Sequence, residues 1–177
     1  MSEASAQGRP VQLLSFWMGG EEHAMDLSYV KEVITHRGVT RVPSVPAFVL
    51  GVINLRGSVV PVVDLGAMLG LPRSVVTASS CFVMAPLFFG EEGVQAGLLV
   101  ESVGQVLDIE EGGVKAVPAF GTRVAPELLI GMVTFEERSL PVLNLMRALS
   151  TDGPLGGGAA APESAAPRGE PYGPGTL

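Results

Sequence analysis

The stretch GVINLRGSVVPVVDL, residues 51–65, decides the fold of this chain. Two apolar runs, Gly51–Leu55 and Ser58–Leu65, flank the dipeptide Arg56-Gly57, which is the pattern of a β-hairpin with a tight turn. Glycine suits the turn because it adopts positive φ at no steric cost. Arginine has no such advantage, so Arg56 is either a solvated loop residue or a residue kept for another role.

The hairpin belongs to an internal repeat. Leu50–Leu69 and Ile130–Leu149 align without a gap at a constant offset of 80 residues. Upstream segments also correspond, at smaller offsets, as loop insertions would produce. We therefore predict two copies of one unit of about 70 residues. The aligned positions that carry the match are Gly51 and Gly131, Pro61 and Pro141, Asp64 and Asn144, and Leu69 and Leu149.

Each unit reads as short strands separated by turn signals, which is typical of a small closed β-barrel. The predicted fold class is mainly β: two tandem five-stranded barrels with short helices, over residues 10–70 and 80–150, intertwined across an apolar seam. Ser28–Thr35 fits either a short helical turn or a strand. The predicted strands are Val11–Met18, His23–Leu27, Val39–Val42, Gly51–Leu55 and Ser58–Val63 in the first unit, and Cys81–Phe88, Val94–Val100, Val103–Leu107, Val114–Val117, Gly131–Phe135 and Ser139–Leu143 in the second.

Two pairs of repeated residues predict local geometry. Pro61 and Pro141 lie inside strand patterns, and because proline cannot donate to a ladder, those strands should face an edge or a bulge there. Asp64 and Asn144 each follow a strand and are predicted to cap the short helix that comes next. Since asparagine cannot ionise, the shared requirement is a cap acceptor, which favours a structural role for Asp64 over acid catalysis.

Composition excludes several classes of function. The chain has 177 residues and a formal net charge of -7, which disfavours binding to nucleic acid or to an anionic membrane surface. The single cysteine, Cys81, and two distant histidines indicate neither a disulfide nor a metal site. There is no signal-peptide pattern, and the longest apolar run, Cys81–Phe89, is too short to span a membrane. We expect a soluble cytoplasmic protein without a cofactor.

The ends of the chain differ from its centre. Thr151–Leu177 holds 7 Gly, 5 Pro and 5 Ala and no Val, Ile, Phe or Met, so burial cannot offset the entropy lost on ordering it. We expect this C-terminal tail to be disordered and residues 1–9 to be flexible. The folded domain is predicted to span residues 10–150.

No catalytic motif stands out. The chain lacks the phosphate-loop, nucleophile-elbow, zinc-protease and dinucleotide-binding patterns. Neither His23 nor His36 lies near Cys81 in sequence, and the paired glutamates fall in turns, so no nucleophile–base pair or acid–base dyad is indicated. The repeat does bear on the role of Arg56, because Arg56-Gly57 aligns with Glu136-Glu137. The turn therefore does not demand a cation, which favours a functional role for this arginine.

These residues resemble a known family. LGVINLRGSVVPVVDL, residues 50–65, is very close to the hallmark segment of CheW-like domains, the chemotaxis coupling proteins. The resemblance covers residues 11–149. Supporting segments stand in the expected order: Leu14–Met18, Ala24–Leu27, Val30–Val33, Val39–Pro43, Ala96–Val106 and Leu129–Leu149.

The resemblance implies two five-stranded SH3-like barrels around a hydrophobic core and a non-catalytic scaffolding function. Such a scaffold links the cytoplasmic hairpin tip of a chemoreceptor, held in the groove between the barrels, to the regulatory domain of a CheA-type histidine kinase. It would be cytoplasmic, recruited to membrane receptor arrays, with no direct membrane insertion and no nucleic-acid partner.

The resemblance also assigns partner-binding residues by position. Arg56, Asn54 and Gly57 correspond to the arginine, asparagine and glycine of the family motif. Glu32 matches an acidic position tied to receptor binding. Residues that would line or approach the groove are Val30, Leu98, Val100 and Val103.

Two other hypotheses stay open from the sequence. The second hairpin carries Glu137 where the family usually has glycine. The chain could therefore be a divergent CheW-like protein that binds a receptor but not the kinase, or that serves a pathway other than chemotaxis. A small enzyme with an unrecognised site is the third hypothesis, and it predicts a pocket with convergent titratable groups.

Overall fold

The structure is a computed structural model that describes residues 10–89, 92–118 and 121–149. The flexible N-terminus expected for residues 1–9 and the disordered tail expected for residues 151–177 lie outside the described residues. Within the described ranges the protein is mainly β, which confirms the predicted fold class. The strands are β1 Val11–Met18, β2 Glu21–Asp26, β3 Glu32–Thr35, β4 Val49–Leu55, β5 Ser58–Asp64, β6 Cys81–Phe89, β7 Glu92–Val100, β8 Ser102–Ile109, β9 Leu129–Phe135 and β10 Arg138–Leu143.

The helices are short. α1 spans Leu65–Met68 and α2 spans Leu145–Ala148, and 3-10 turns lie at Leu27–Tyr29 and Pro126–Leu128. Ser28–Thr35, which fitted a helical turn or a strand, contains both, because the 3-10 turn is followed by β3.

The strands form two five-stranded sheets. Sheet I has the order β8-β1-β2-β10-β9 and sheet II has the order β3-β6-β7-β5-β4. Neighbours are antiparallel except for the pairs β2–β10 and β5–β7, which are parallel. Replacing each strand by its counterpart in the other repeat, β1 by β6, β2 by β7 and so on, converts one order into the other. The two repeats have therefore exchanged their first two strands, and neither sheet corresponds to a continuous half of the chain.

The hydrophobic core has three parts. A central cluster packs between the sheets and includes Phe16, Met25 and Leu98. A second cluster around Phe82 lies within sheet II, and a third around Leu107 lies within sheet I. Because strands of both repeats contribute to every part, we expect the two sheets to fold as one cooperative unit.

Val39–Val42 and Val114–Val117 were predicted as strands, and this is wrong. Each forms one isolated bridge, between Thr40 and Val52 and between Lys115 and Met132. The reason lies in Gly51 and Gly131, the repeated glycines beside these bridges. A side chain at Gly51 would fall on the carbonyl oxygen of Thr40, and one at Gly131 on that of Lys115. The crossing segment approaches β4 or β9 too closely for any residue but glycine, and only over a short length.

The repeated prolines have the environment that the sequence predicted. Val52, which lies opposite Pro61, exchanges both of its backbone hydrogen bonds with Thr40 and so makes none to β5. On its other side β5 pairs with β7 only from Val62 onward. Pro61 therefore needs no N–H, and the same arrangement recurs at Pro141 in β10.

Candidate partner-binding site

The tip of the β4–β5 hairpin is a tight turn held by a side chain. Arg56 and Gly57 both have positive φ, 52° and 87°, which is the geometry of a type I′ turn. Asn54 Oδ1 accepts a hydrogen bond from the Gly57 N–H at 3.1 Å. The carbonyl oxygen of Asn54 also accepts a hydrogen bond from Arg37 Nη1 at 3.0 Å. These contacts fix the position from which the Arg56 side chain extends.

Arg56 forms a bidentate ion pair with Glu32. Nη1 donates to Oε2 at 2.9 Å and Nη2 donates to Oε1 at 2.6 Å. Glu32 begins β3, and the hairpin contains β4, so the pair joins the two edge strands of sheet II. Two further contacts cross the same gap, the backbone bridge between Thr40 and Val52 and the bond from the Arg37 guanidinium to the Asn54 carbonyl oxygen. Arg56 therefore has a structural partner within the chain that the comparison of the two hairpins did not reveal.

The pair keeps both partners ionised. Hydrogen bonding to Arg56 lowers the pKa of the Glu32 carboxyl, and hydrogen bonding to Glu32 raises the pKa of the Arg56 guanidinium. The Arg56 side chain is 68% exposed and that of Glu32 29% exposed. Two of the five guanidinium N–H donors enter the pair, which leaves three directed elsewhere. The pair can therefore accept a further carboxylate from outside.

Sequence reasoning missed the cations of the segment that leads to this tip. Lys31, Arg37 and Arg41 are exposed, and with Arg56 they place four cations in residues 31–56, where Glu32 is the one carboxylate. The rest of the chain carries the acidic balance. A count of charges by segment would have found them, because the net charge of -7 is an average over the whole chain and conceals the basic segment 31–56.

The four apolar candidates fall into two groups. Val30 and Val103 are partly buried and pack at the edge of the central cluster between the sheets. Leu98 and Val100 lie inside that cluster and are fully buried. Only the first two present surface to a partner in this structure. Leu98 and Val100, which lie on β7 in the middle of sheet II, can contribute to a groove only by supporting its floor.

The second hairpin has a different surface. Its turn residues, Glu136 and Glu137, have positive φ of 50° and 66°, so the turn forms without glycine. Arg138 Nη1 donates to Glu22 Oε1 at 2.7 Å. This pair joins neighbouring strands rather than the edges of the sheet, because β10 lies beside β2. The tip of sheet I thus presents carboxylates where sheet II presents a guanidinium.

Asp64 and Asn144 cap α1 and α2, as the repeat predicted. Asp64 Oδ1 accepts from the Ala67 N–H and Asn144 Oδ1 from the Arg147 N–H. Asp64 is fully buried and also accepts from the Ser74 N–H at 2.8 Å and the Ser74 hydroxyl at 2.7 Å. Burial raises the pKa of the Asp64 carboxyl. All of its contacts are structural, so it offers no acid to a substrate.

Other titratable groups show no constellation for chemistry in the described part of the chain. Residues 10–89, 92–118 and 121–149 contain no group of three or more His, Cys, Asp and Glu placed to hold a metal ion. Burial raises the pKa of the Cys81 thiol, which keeps it protonated. No helix among these residues is long and apolar enough to cross a membrane.

Comparison with known proteins gives one consistent family. The family model described as CheW-like domain matches residues 12–153. The chain is 32% identical over 141 residues to the chemotaxis protein CheW of Klebsiella aerogenes, covering 80% of this chain and 82% of that protein. It is 36% identical over 100 residues to CheW of Thermotoga maritima, covering 56% and 63% of the two chains.

A solved structure agrees. The crystal structure of scaffolding protein TtCheW from Thermoanaerobacter tengcongensis matches with a TM-score of 0.67 and 26% identity. The match covers 77% of this chain and 85% of that one.

Proposed function

The chain belongs to the CheW-like domain family, and on that premise we propose that it is a non-catalytic adaptor that couples chemoreceptors to a CheA-type histidine kinase. Relatives named chemotaxis protein CheW and a structural neighbour named a scaffolding protein support a role in chemotaxis coupling. In this role the protein is cytoplasmic and is recruited to membrane receptor arrays through its partners.

The observation that carries the proposal is the cation at the hairpin tip. The turn and Asn54 fix the backbone of Arg56, and Glu32 fixes its guanidinium. A cation held in one place loses little entropy when it binds, and its planar donors suit a carboxylate. The partner expected at this tip is an acidic side chain of the receptor hairpin. Lys31, Arg37 and Arg41 add attraction of the same sign.

The apolar part of the receptor contact is proposed at Val30 and Val103. Both side chains are partly exposed at the edge of the cluster between the sheets, and Val30 is two residues from Glu32. An amphipathic helix could place its apolar face on these residues and its acidic residues toward Arg56. Leu98 and Val100 would keep the floor of this groove rigid from below.

We propose the kinase contact from the family resemblance and not from individual residues. The family resemblance assigns it to docking of one barrel on a like barrel of the kinase regulatory domain. The acidic tip of sheet I, with Glu136 and Glu137, has the opposite charge to the tip of sheet II. This asymmetry favours, as a second candidate, an adaptor that binds the receptor through sheet II and has lost or changed its kinase contact.

Titration calorimetry with two separate partners tests the proposal. We expect a receptor cytoplasmic fragment and the kinase regulatory domain from the same organism to bind the purified full chain, and to bind it together. Binding of the receptor fragment alone would select the second candidate. Failure of both to bind would contradict the adaptor function.

A further inference from the structure

The two edges of sheet II, β3 and β4, meet across a seam. Thr40 and Val52 form an isolated bridge there, with two backbone hydrogen bonds of 2.9 and 2.8 Å. In an antiparallel pair, positions that bond to the partner strand alternate with positions whose N–H and C=O groups point away from it. Val52 points away from β5, so Asn54, two residues further along β4, does the same. The Asn54 carbonyl is therefore directed toward the seam.

Arg37 supplies the hydrogen bond that a continued backbone ladder would make at this carbonyl. It lies in the link between the end of β3 and the Thr40 bridge, and its Nη1 donates to the Asn54 carbonyl oxygen at 3.0 Å. If the antiparallel pairing continued, Gly38 would face Asn54. The guanidinium bond is exposed and reaches across the seam from the neighbouring residue. A side chain thus extends the seam contact toward the hairpin tip.

The bond acts on a turn whose backbone is strained. Arg56 has a φ of 52°, in the left-handed region that residues other than glycine seldom adopt. Such a conformation persists where the surrounding contacts over-determine it. Asn54 is one of those contacts, because its Oδ1 accepts from the Gly57 N–H at 3.1 Å. Arg37 holds Asn54 by its carbonyl, and Asn54 in turn holds the strained turn by its side chain.

The second repeat shows that the hairpin folds without such a bond. Thr134 takes the place of Asn54 at the offset of 80, and the link that follows β8 carries two glutamates, Glu110 and Glu111. An ionised carboxylate accepts hydrogen bonds and donates none, so neither side chain can bond to the Thr134 carbonyl. The fold of the repeat therefore does not demand an arginine in this link, which favours a role in binding for the arginine of the first repeat.

We propose that Arg37 is a positioning residue for receptor binding, which holds the hairpin tip so that Arg56 meets the receptor carboxylate in one orientation. The inference rests on the receptor contact of the proposed function. A tip that is ordered before association loses less entropy when it binds. The charge of Arg37 adds the same attraction as that of Arg41, and the bond to Asn54 adds an effect that charge alone does not supply.

Receptor binding separates the hydrogen bond from the charge. Arg37→Met removes both the donor and the charge, and the matched control Arg41→Met removes the same charge from the same segment. Arg37→Met should weaken binding of a receptor cytoplasmic fragment to the full chain about threefold more than Arg41→Met does. This difference should persist at about 0.5 M salt, where attraction between distant exposed charges is largely screened. Arg37→Lys, which keeps a donor on a long side chain, should recover most of the loss.

Nitrogen-15 relaxation tests the order of the tip without any partner. The backbone amide order parameters of Arg56 and Gly57 should be near about 0.85 in the unmutated chain and should fall toward about 0.6 in Arg37→Met. The amides of Glu136 and Glu137, at the tip of sheet I, should keep the same values in both proteins. The melting temperature should change little, because the lost bond is exposed to solvent.

Several results would overturn the proposal. Equal losses of affinity in Arg37→Met and Arg41→Met, or a difference that disappears at high salt, would show that Arg37 acts only by its charge. Unchanged order parameters at the tip in Arg37→Met would show that the bond does not hold the turn. A failure of the proposed function is recognised separately, because the unmutated chain would then not bind the receptor fragment at all.

Discussion

Arg56 and Glu32 lie on opposite edges of sheet II and close it with two hydrogen bonds of 2.9 and 2.6 Å. Arg56 corresponds to Glu136 at the offset of 80, and Glu32 corresponds to Gln105 at the upstream offset of 73, which aligns Val30 with Val103. Both members of the pair are therefore replaced in the second repeat. The edges of sheet I are still connected by the Lys115–Met132 bridge. The fold of the repeat therefore does not require the Arg56–Glu32 pair. This is expected of a residue pair that is kept for binding.

A charge reversal separates the two roles of this pair. Arg56→Glu should weaken binding of a receptor fragment by about tenfold or more, because it opposes like charges at the tip. The double variant Arg56→Glu with Glu32→Arg restores the pair across the edges but reverses the charge at the tip, so binding should stay weak. Thermal melting should change little in either variant, since the pair is exposed to solvent.

The matched control for this charge reversal is Arg138→Glu, which breaks the exposed pair with Glu22 on the other sheet. Receptor binding should be unaffected in this variant. Recovery of binding in the double variant would instead show that Arg56 acts only by closing the sheet.

Gly51 should be among the least replaceable residues. Its φ is 142°, and an added Cβ would fall on the Thr40 carbonyl oxygen, which belongs to the backbone and cannot move aside cheaply. Gly51→Ala should lower the free energy of unfolding by about 3 kcal/mol or more in urea denaturation. Gly57→Ala is the comparison, because Gly57 also has positive φ but has no atom near its Cβ position. It should cost about 1 kcal/mol. Equal costs would mean that the close approach of Thr40 is not what selects glycine.

Asp64→Asn should destabilise the protein even though asparagine caps the equivalent helix. In the unmutated protein Asp64 Oδ1 accepts from the Ala67 N–H and Asp64 Oδ2 accepts from the Ser74 N–H. Asparagine can keep the first bond through its Oδ1, but its Nδ2 would then face the Ser74 N–H, and two donors cannot bond to each other. Loss of that buried bond should cost about 1–3 kcal/mol in the free energy of unfolding, more than is recovered by removing a buried charge. Asn144→Asp, at the partly exposed cap, should change it by less than about 1 kcal/mol. Similar effects at both caps would contradict the role given to Ser74.

Acid should weaken the fold through His23. This side chain is buried and stacks on Phe16, with ring centroids 5.8 Å apart. Burial is the main reason that its pKa is lowered. The folded state therefore binds a proton less readily than the unfolded state, and the stability from the neutral ring is lost as pH falls below about 6.5.

The pH dependence can be assigned with one variant. Between about pH 7 and 5 the unmutated protein should lose unfolding free energy through this group, because the buried ring binds a proton less readily than the ring of the unfolded chain. His23→Phe keeps a ring against Phe16 and does not titrate, so its loss over the same range should be smaller. Denaturation curves at both pH values give the comparison, and parallel losses would exclude His23 as the cause.

Local information in the sequence determined much of this protein. The two strands of the β4–β5 hairpin, the glycine at its turn and the caps at Asp64 and Asn144 depend on neighbours in the chain, and each is found as predicted. The repeat also explained Pro61 and Pro141 before their partners were known. The hallmark segment placed Arg56 at an exposed tip, because a tight turn has few other places to put a long side chain.

Only the tertiary structure decided which strands pair across the repeats. Each sheet takes β1–β2 or β6–β7 from one repeat and three strands from the other, and sequence periodicity is the same whichever copy supplies them. The Arg56–Glu32 pair was hidden for the same reason, since it joins edges that meet only when sheet II curls. Burial of Leu98 and Val100 likewise depends on the packing of sheet on sheet. Contacts between distant segments are set by the whole core, and no local pattern encodes them.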